Sequence, residues 1–140
     1  MARMNNEQLS AFLAEPRIAS LISVYGDGSP TAVPVWFEWS GGKALIFTSA
    51  GSEKVARIQA NSHVALSVAE GVGAQEAWVT IEGNATIETT GGFDLAKRLL
   101  PRYYSAEREA KALPEWEKMA DQWIVIFIDP TRVRSSAPEA

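Results

Sequence analysis

The sequence predicts a mainly β domain with small helices, built on a six-stranded antiparallel barrel. Three observations carry that expectation. Six stretches are rich in β-branched and aromatic residues and are separated by turn-forming Gly, Ser, Asn and Asp. Helical periodicity is confined to the start of the chain, a short run after Ser52, and residues 93–120. Apolar strand surface is abundant for 140 residues, and closing it into a barrel removes the free edges it would otherwise expose. Composition alone leaves a sandwich open.

The elements follow in order. Residues 6–14 read as a helix, with Asn6 as its cap and Leu9, Phe12 and Leu13 on one face; Pro16 ends it. Residues 17–25 alternate and form the first strand, and Gly26-Asp27-Gly28-Ser29 turns the chain. Residues 31–39 make the second strand, with Val33, Val35, Phe37 and Trp39 on one face. Pro34 cannot donate to a ladder, so this strand lies at an edge or is bulged. Ser40-Gly41-Gly42 leads into a third strand over 44–49. The period then changes, and residues 52–60 read as a helix capped by Ser52. A fourth strand covers 63–70, and a fifth covers 77–88 with a bulge or bend at Gly83. Residues 93–120 are helical, Leu95, Leu99 and Tyr103 sharing a face, with Pro101 and Pro114 expected to break the stretch. Residues 123–128 are too apolar for a wet face and are expected at the sheet centre. One domain over 1–134 and a flexible tail over 135–140 complete the expectation.

Composition narrows the chemistry. Without Cys, thiol catalysis, Cys-ligated zinc and iron–sulfur clusters are excluded. A single His63 rules out a multi-histidine metal site within one chain, and no metal site is expected. Thirteen basic against 17 acidic residues give a net charge of −4, which argues against nucleic acid as a partner. No apolar run approaches the ~20 residues of a membrane span, and the polar start lacks a signal peptide's core. The expected setting is the cytoplasm, away from membranes. Asn84-Ala85-Thr86 matches a glycosylation sequon with no secretion signal beside it. Glu82 and Glu88 share a strand face but lie ~20 Å apart, too far for a carboxylate pair. Five Trp in so short a chain must line a core, an interface or a planar ligand.

One stretch reads as a binding site. In Thr48-Ser49-Ala50-Gly51-Ser52-Glu53-Lys54 a strand ends, small residues turn the chain, and a helix begins. A helix's first turn leaves N–H groups unpaired beside partial positive charge. Thr48, Ser49 and Ser52 add hydroxyls, and Lys54 and Arg57 add cations, which together suit a phosphate. The competing reading is a capped surface helix with both cations in solvent. The loop is not a Walker A motif.

The ordered set of Val33-Pro34-Val35-Trp36-Phe37, Phe47-Thr48-Ser49, Gly51-Ser52-x-Lys54, Asn61-x-x-Val64-x-Leu66 and Trp78-Val79-x-Ile81-Glu82-Gly83 resembles the split β-barrel flavin and deazaflavin oxidoreductases, the family of pyridoxamine 5′-phosphate oxidase. Asp129-Pro130-Thr131-Arg132-Val133 resembles the end of that family's last strand. The resemblance implies a six-stranded split barrel acting as a homodimer with two cofactor sites in its interface. It implies FMN as cofactor, its ring along Val33, Pro34, Val35 and Trp36, its phosphate at Thr48, Ser49, Ser52 and Lys54, with Phe47 in the same motif. Trp78 stands where such proteins often place a Gln near the ring. Ala32 stands where the oxidase has a phosphate-binding Arg, Glu53 where it has a second basic residue, and its C-terminal Arg-x-His is absent. A true pyridoxamine 5′-phosphate oxidase is therefore not expected. The resemblance implies a flavin-dependent oxidoreductase moving hydride to or from a small molecule. The alternatives are an F420-dependent reductase of the same fold and a non-catalytic flavin- or ligand-binding module.

Overall fold

A computed structural model of the chain describes residues 1–139. Helix α1 (Asn6–Ala14) opens with a capping box one residue earlier than expected. The Asn5 side chain accepts from the Gln8 N–H at 2.8 Å, and the Gln8 side chain accepts from the Asn5 N–H at 2.8 Å. Asn6 has no Gln three residues on to complete such a box, so Asn5 is the cap.

Seven strands follow: β1 (Ala19–Val24), β2 (Pro30–Val35), β3 (Glu38–Ser40), β4 (Lys43–Ser49), β5 (His63–Ala69), β6 (Trp78–Glu88) and β7 (Trp123–Ser136). Helix α2 (Glu53–Ala60) joins β4 to β5, and α3 (Gly92–Tyr103) and α4 (Ala106–Glu117) lie between β6 and β7. All seven strands form one antiparallel sheet in the order β2-β1-β5-β6-β7-β4-β3. The strand expected over 31–39 is thus two strands. Its first half pairs with β1 at one edge, and its second half pairs with β4 at the other. Trp36 and Phe37 carry the chain across the gap, so a covalent corner joins the edges of a curled sheet that hydrogen bonds leave open. That arrangement is a split barrel. Pro34 sits in the terminal strand β2, where its missing donor costs least.

The barrel core contains Leu21, Val35, Phe37, Ile46, Leu66, Ile81 and Ile126, with Val33 and Trp39 packed against it. Interior strand β7 pairs on both sides along Val125–Ile128, as its continuous apolar run predicts. Gly83 marks a register shift against β7; a Cβ there would lie 2.1 Å from the Asp129 carbonyl oxygen.

Two further expectations fail. Neither proline breaks its helix: α3 runs through Pro101 and α4 through Pro114, and the break falls at Tyr104 and Ser105. Each proline frees the carbonyl four residues back, at Lys97 and Ala110, and both residues are exposed, where water can satisfy the lost bond. The domain also continues past 134. Ser135 and Ser136 pair with Val79 and Trp78, and Ala137 forms a bridge with Ala2. The outer half of β6 needs those partners, so residues 135–137 belong to the sheet rather than to a tail.

Candidate anion and cofactor site

The site forms where β4 ends, because successive side chains of a strand face opposite ways. Ala44 and Ile46 enter the barrel core, and Thr48 is the last of that row. Thr48 is 8% exposed, and its hydroxyl donates to Ser52 Oγ at 3.2 Å. Ser52 holds the capping position of α2 in extended conformation, but its side chain caps no helical N–H. The first turn therefore keeps donors that the capping residue does not satisfy. The Ala50 N–H is anchored on the Gln122 carbonyl at 2.8 Å, Ser49 is exposed, and a Cβ on Gly51 would meet nothing within 4 Å. The loop is open ground that a bulky anion can approach.

Two cations stand beside it. Lys54 is half-buried, and among the described residues no carboxylate lies within 4.0 Å of its ammonium. Burial, and then the charge of Arg57, holds its pKa below the usual lysine value. Arg57 is only 9% exposed. Its Nε donates to Ser23 Oγ at 2.8 Å, and its guanidinium lies 5.4 Å from the centre of the Tyr25 ring. Its Nη1 is 3.8 Å from a carboxylate oxygen of Glu53, which is 92% exposed. Glu53 therefore faces water one turn before Arg57 rather than pointing into the loop. Ser23 lies opposite Thr31 in the β1–β2 register, so Arg57 reaches β1, the immediate neighbour of the edge strand β2.

The sequence-expected residues divide accordingly. Thr48, Ser49, Ser52, Lys54 and Arg57 come together. Val33 and Val35 face the barrel core, while Pro30, Ala32 and Pro34 are exposed, so this outward row and the backbone edge of β2 are open to a planar ligand. Trp36 and Phe47 are engaged elsewhere. Trp36 stacks on Tyr103 with centroids 4.6 Å apart and planes at 2°, and Phe47 lies edge-on to Trp36 at 6.2 Å. Trp116 of α4 packs 5.9 Å from Trp36, 5.8 Å from Phe47 and 5.2 Å from Trp123. This aromatic layer covers the outer face of β4, opposite to Thr48.

Trp78 is not part of the assembly. It pairs with Ala69 and Ser136 at the far end of the sheet, roughly 17 Å along the strand direction from Ser23. Its side chain is 36% exposed and lines a cavity of about 410 Å³ with Val72, Glu70 and Glu76. A second cavity, about 290 Å³, lies on the outer sheet face and is lined by Ile22, Val24, His63, Ala65, Glu82 and Thr131. Neither is lined by Thr48, Ser49, Ser52, Lys54 or Arg57; the chemistry of the donors, not a cavity, marks them. Ser23 and Tyr25 escaped the sequence reading. Their two-residue spacing puts them on one strand face, but only the packing of α2 on β1 shows what that face meets.

The family model described as pyridoxamine 5′-phosphate oxidase matches residues 6–135. No curated protein matches the chain. Solved structures share its fold. A conserved hypothetical protein from Mycobacterium tuberculosis superposes with a TM-score of 0.79 at 21% identity, over 98% of this chain and 91% of that one. An F420 reductase gives 0.67 at 23% identity, over 89% and 94%. An FAD-binding protein from Mesorhizobium loti gives 0.67 at 21% identity, over 96% and 95%. Among the described residues no helix is long and apolar enough to cross a membrane.

Proposed function

The chain belongs to the pyridoxamine 5′-phosphate oxidase family, and from that premise we propose that it is an FMN-dependent oxidoreductase working as a homodimer on a small molecule. One observation carries the cofactor assignment. Lys54 and Arg57 stand side by side at the mouth of α2, one without a carboxylate partner and one with most of its N–H donors uncommitted. A charge-assisted phosphate contact satisfies both. Thr48, Ser49 and Ser52 supply hydroxyls, and the open ground over Gly51 gives the phosphate room. The exposed edge of β2 at Ala32 and Pro34 would orient the ring through backbone groups, while Val33 and Val35 support that edge from within the barrel.

A bound flavin supplies hydride transfer at its own N5, so the chain's task is orientation, neutralisation of the phosphate and exclusion of water. The oxidase's own substrate fits poorly. Arg134 is tied to Glu82 at 3.1 Å rather than held free for a ligand.

The F420 reading draws on the similarly folded F420 reductase. The exposed positions of α2 beyond the seat are Ala56, Gln59 and Ala60, none of them cationic, and an oligoglutamate tail wants a basic groove. That contrast favours FMN. The absorbance spectrum of the purified protein, alone and with each cofactor added, decides between them. A band near ~450 nm that follows FMN supports the proposal; one near ~420 nm that follows F420 replaces it. A bound flavin that ordinary reductants and acceptors never turn over would make the chain a binding module instead. Sedimentation tests the homodimer: a stable species of 15.2 kDa at micromolar concentration would remove it.

A further inference from the structure

We propose that Ser23 is a positioning residue that locks the Arg57 guanidinium by its inner edge, so that its two outer nitrogens present a fork to a tetrahedral oxyanion. The inference rests on the phosphate reading above but concerns a residue of β1 outside every motif that suggested it.

Ser23 is 2% exposed and lies on the inward face of β1, where a hydroxyl needs a partner. Its partner is Arg57 Nε, at 2.8 Å, the one hydrogen bond that the Arg57 side chain makes among the described residues. An arginine has five N–H donors in a rigid plane. Holding Nε fixes that plane and leaves Nη1 and Nη2 on the far side, the pair that engages an oxyanion bidentately. Tyr25, two residues along the same face, lies against the guanidinium and limits its swing. The Glu53 carboxylate, 3.8 Å from Nη1 and 92% exposed, is a solvent-screened neighbour that leaves both outer nitrogens open to a stronger acceptor. A lysine at 57 would carry the same charge but could neither be held at Nε nor present a fork.

Two measurements test this. In the free protein, the Arg57 Nε–H resonance should exchange slowly with solvent in the wild type and in Ser23→Thr, and quickly in Ser23→Ala. With FMN as the probe, Ser23→Ala should weaken binding about tenfold, the loss of one ordinary hydrogen bond's worth, and Ser23→Thr should restore it. In an Arg57→Lys background Ser23→Ala should add no further loss, because the lysine has no Nε to hold. An unchanged exchange rate in Ser23→Ala, or an equal further loss in the Arg57→Lys background, overturns the positioning role. Should Ser23→Ala not fold, Arg57→Lys carries the test alone: a loss of about tenfold is expected, and wild-type affinity overturns the proposal. Wild-type protein that does not bind FMN sinks the cofactor reading, while the exchange experiment still decides whether Ser23 holds Arg57.

Discussion

Phe47 and Thr48 are neighbours in the chain and belong to regions of opposite kind. On the Phe47 side, aromatic rings from β4, α3, α4 and β7 pack against one another, and a half-buried hydroxyl finds backbone partners. Tyr103 shows this. Its hydroxyl donates to the Arg17 carbonyl at 2.8 Å and accepts from the Phe37 N–H at 3.3 Å, and burial holds it protonated beyond the usual tyrosine range. On the Thr48 side, two cations are brought together against their mutual repulsion, a capping serine does not cap, and the glycine faces empty space. One face closes on itself and contributes stability; the other is left incomplete, which a packed core never is. Alternation along a strand separates what adjacency in sequence joins, and the motif that holds both residues does not show this division.

The contrast is sharpest at its glycines. Gly92 packs its Cα against the Trp123 backbone, and a Cβ there would lie 2.5 Å from the Trp123 carbonyl carbon. Gly92→Ala is expected to cost about 3 kcal/mol by urea denaturation, while Gly51→Ala should stay within about 0.5 kcal/mol. Similar losses would erase the difference between the regions.

Next in size is Lys54→Ala, expected to weaken FMN binding about 10- to 150-fold in calorimetry, with the denaturation midpoint unchanged. The same lysine sets a pH dependence. Its pKa in the free protein is depressed, so it loses its proton below the usual lysine range as pH rises, and phosphate affinity should fall there. Binding must also take up protons, since the phosphate favours the charged form; affinity that is flat to pH 10 would dissociate Lys54 from the site.

Tyr103→Phe tests the other region with the opposite signature. It strands the Phe37 N–H and should cost about 1.5 kcal/mol of stability, leaving FMN affinity as it was. A selective loss of binding would show that the aromatic layer reaches the ligand. The smallest effect belongs to Glu53→Gln. Removing an exposed carboxylate beside Arg57 should tighten FMN about two- to fivefold at low salt and by nothing measurable at 0.5 M salt, where exposed charges are screened. A salt-independent gain would place Glu53 inside the seat.

Much of the fold was legible because strands, turns and the strand-to-helix loop before α2 are local patterns. Gly83 as a bulge, Pro34 at an edge and the central apolar run of β7 each follow from one residue type in one backbone setting. What could not be read was tertiary. Nothing local distinguishes a strand over 31–39 from two strands on opposite edges of one sheet, since the break at Trp36–Phe37 is made by where β1 and β4 lie. Pro101 and Pro114 look like breakers until the exposure of Lys97 and Ala110 is known. At the site, Lys54 and the hydroxyls follow from the helix start, whereas Ser23 and Tyr25 depend on α2 folding back over β1. Where Trp78 lies is tertiary for the same reason: its position along β6 sets it, within one chain, at the opposite end of the sheet.

The open seam between β2 and β3 has a cost in the test tube as well as a use. An unpaired strand edge is a template on which a second extended chain can dock, and repetition of that step is how sheets grow into aggregates. Pro34 sits inside this edge, where its ring removes a donor and obstructs an incoming strand. Replacing Pro34 with Val or Thr would keep the strand and complete the edge. Light scattering on heating should then rise at temperatures where the native protein stays clear, and a molecule saturated with a ligand lying along β2 should be protected from it.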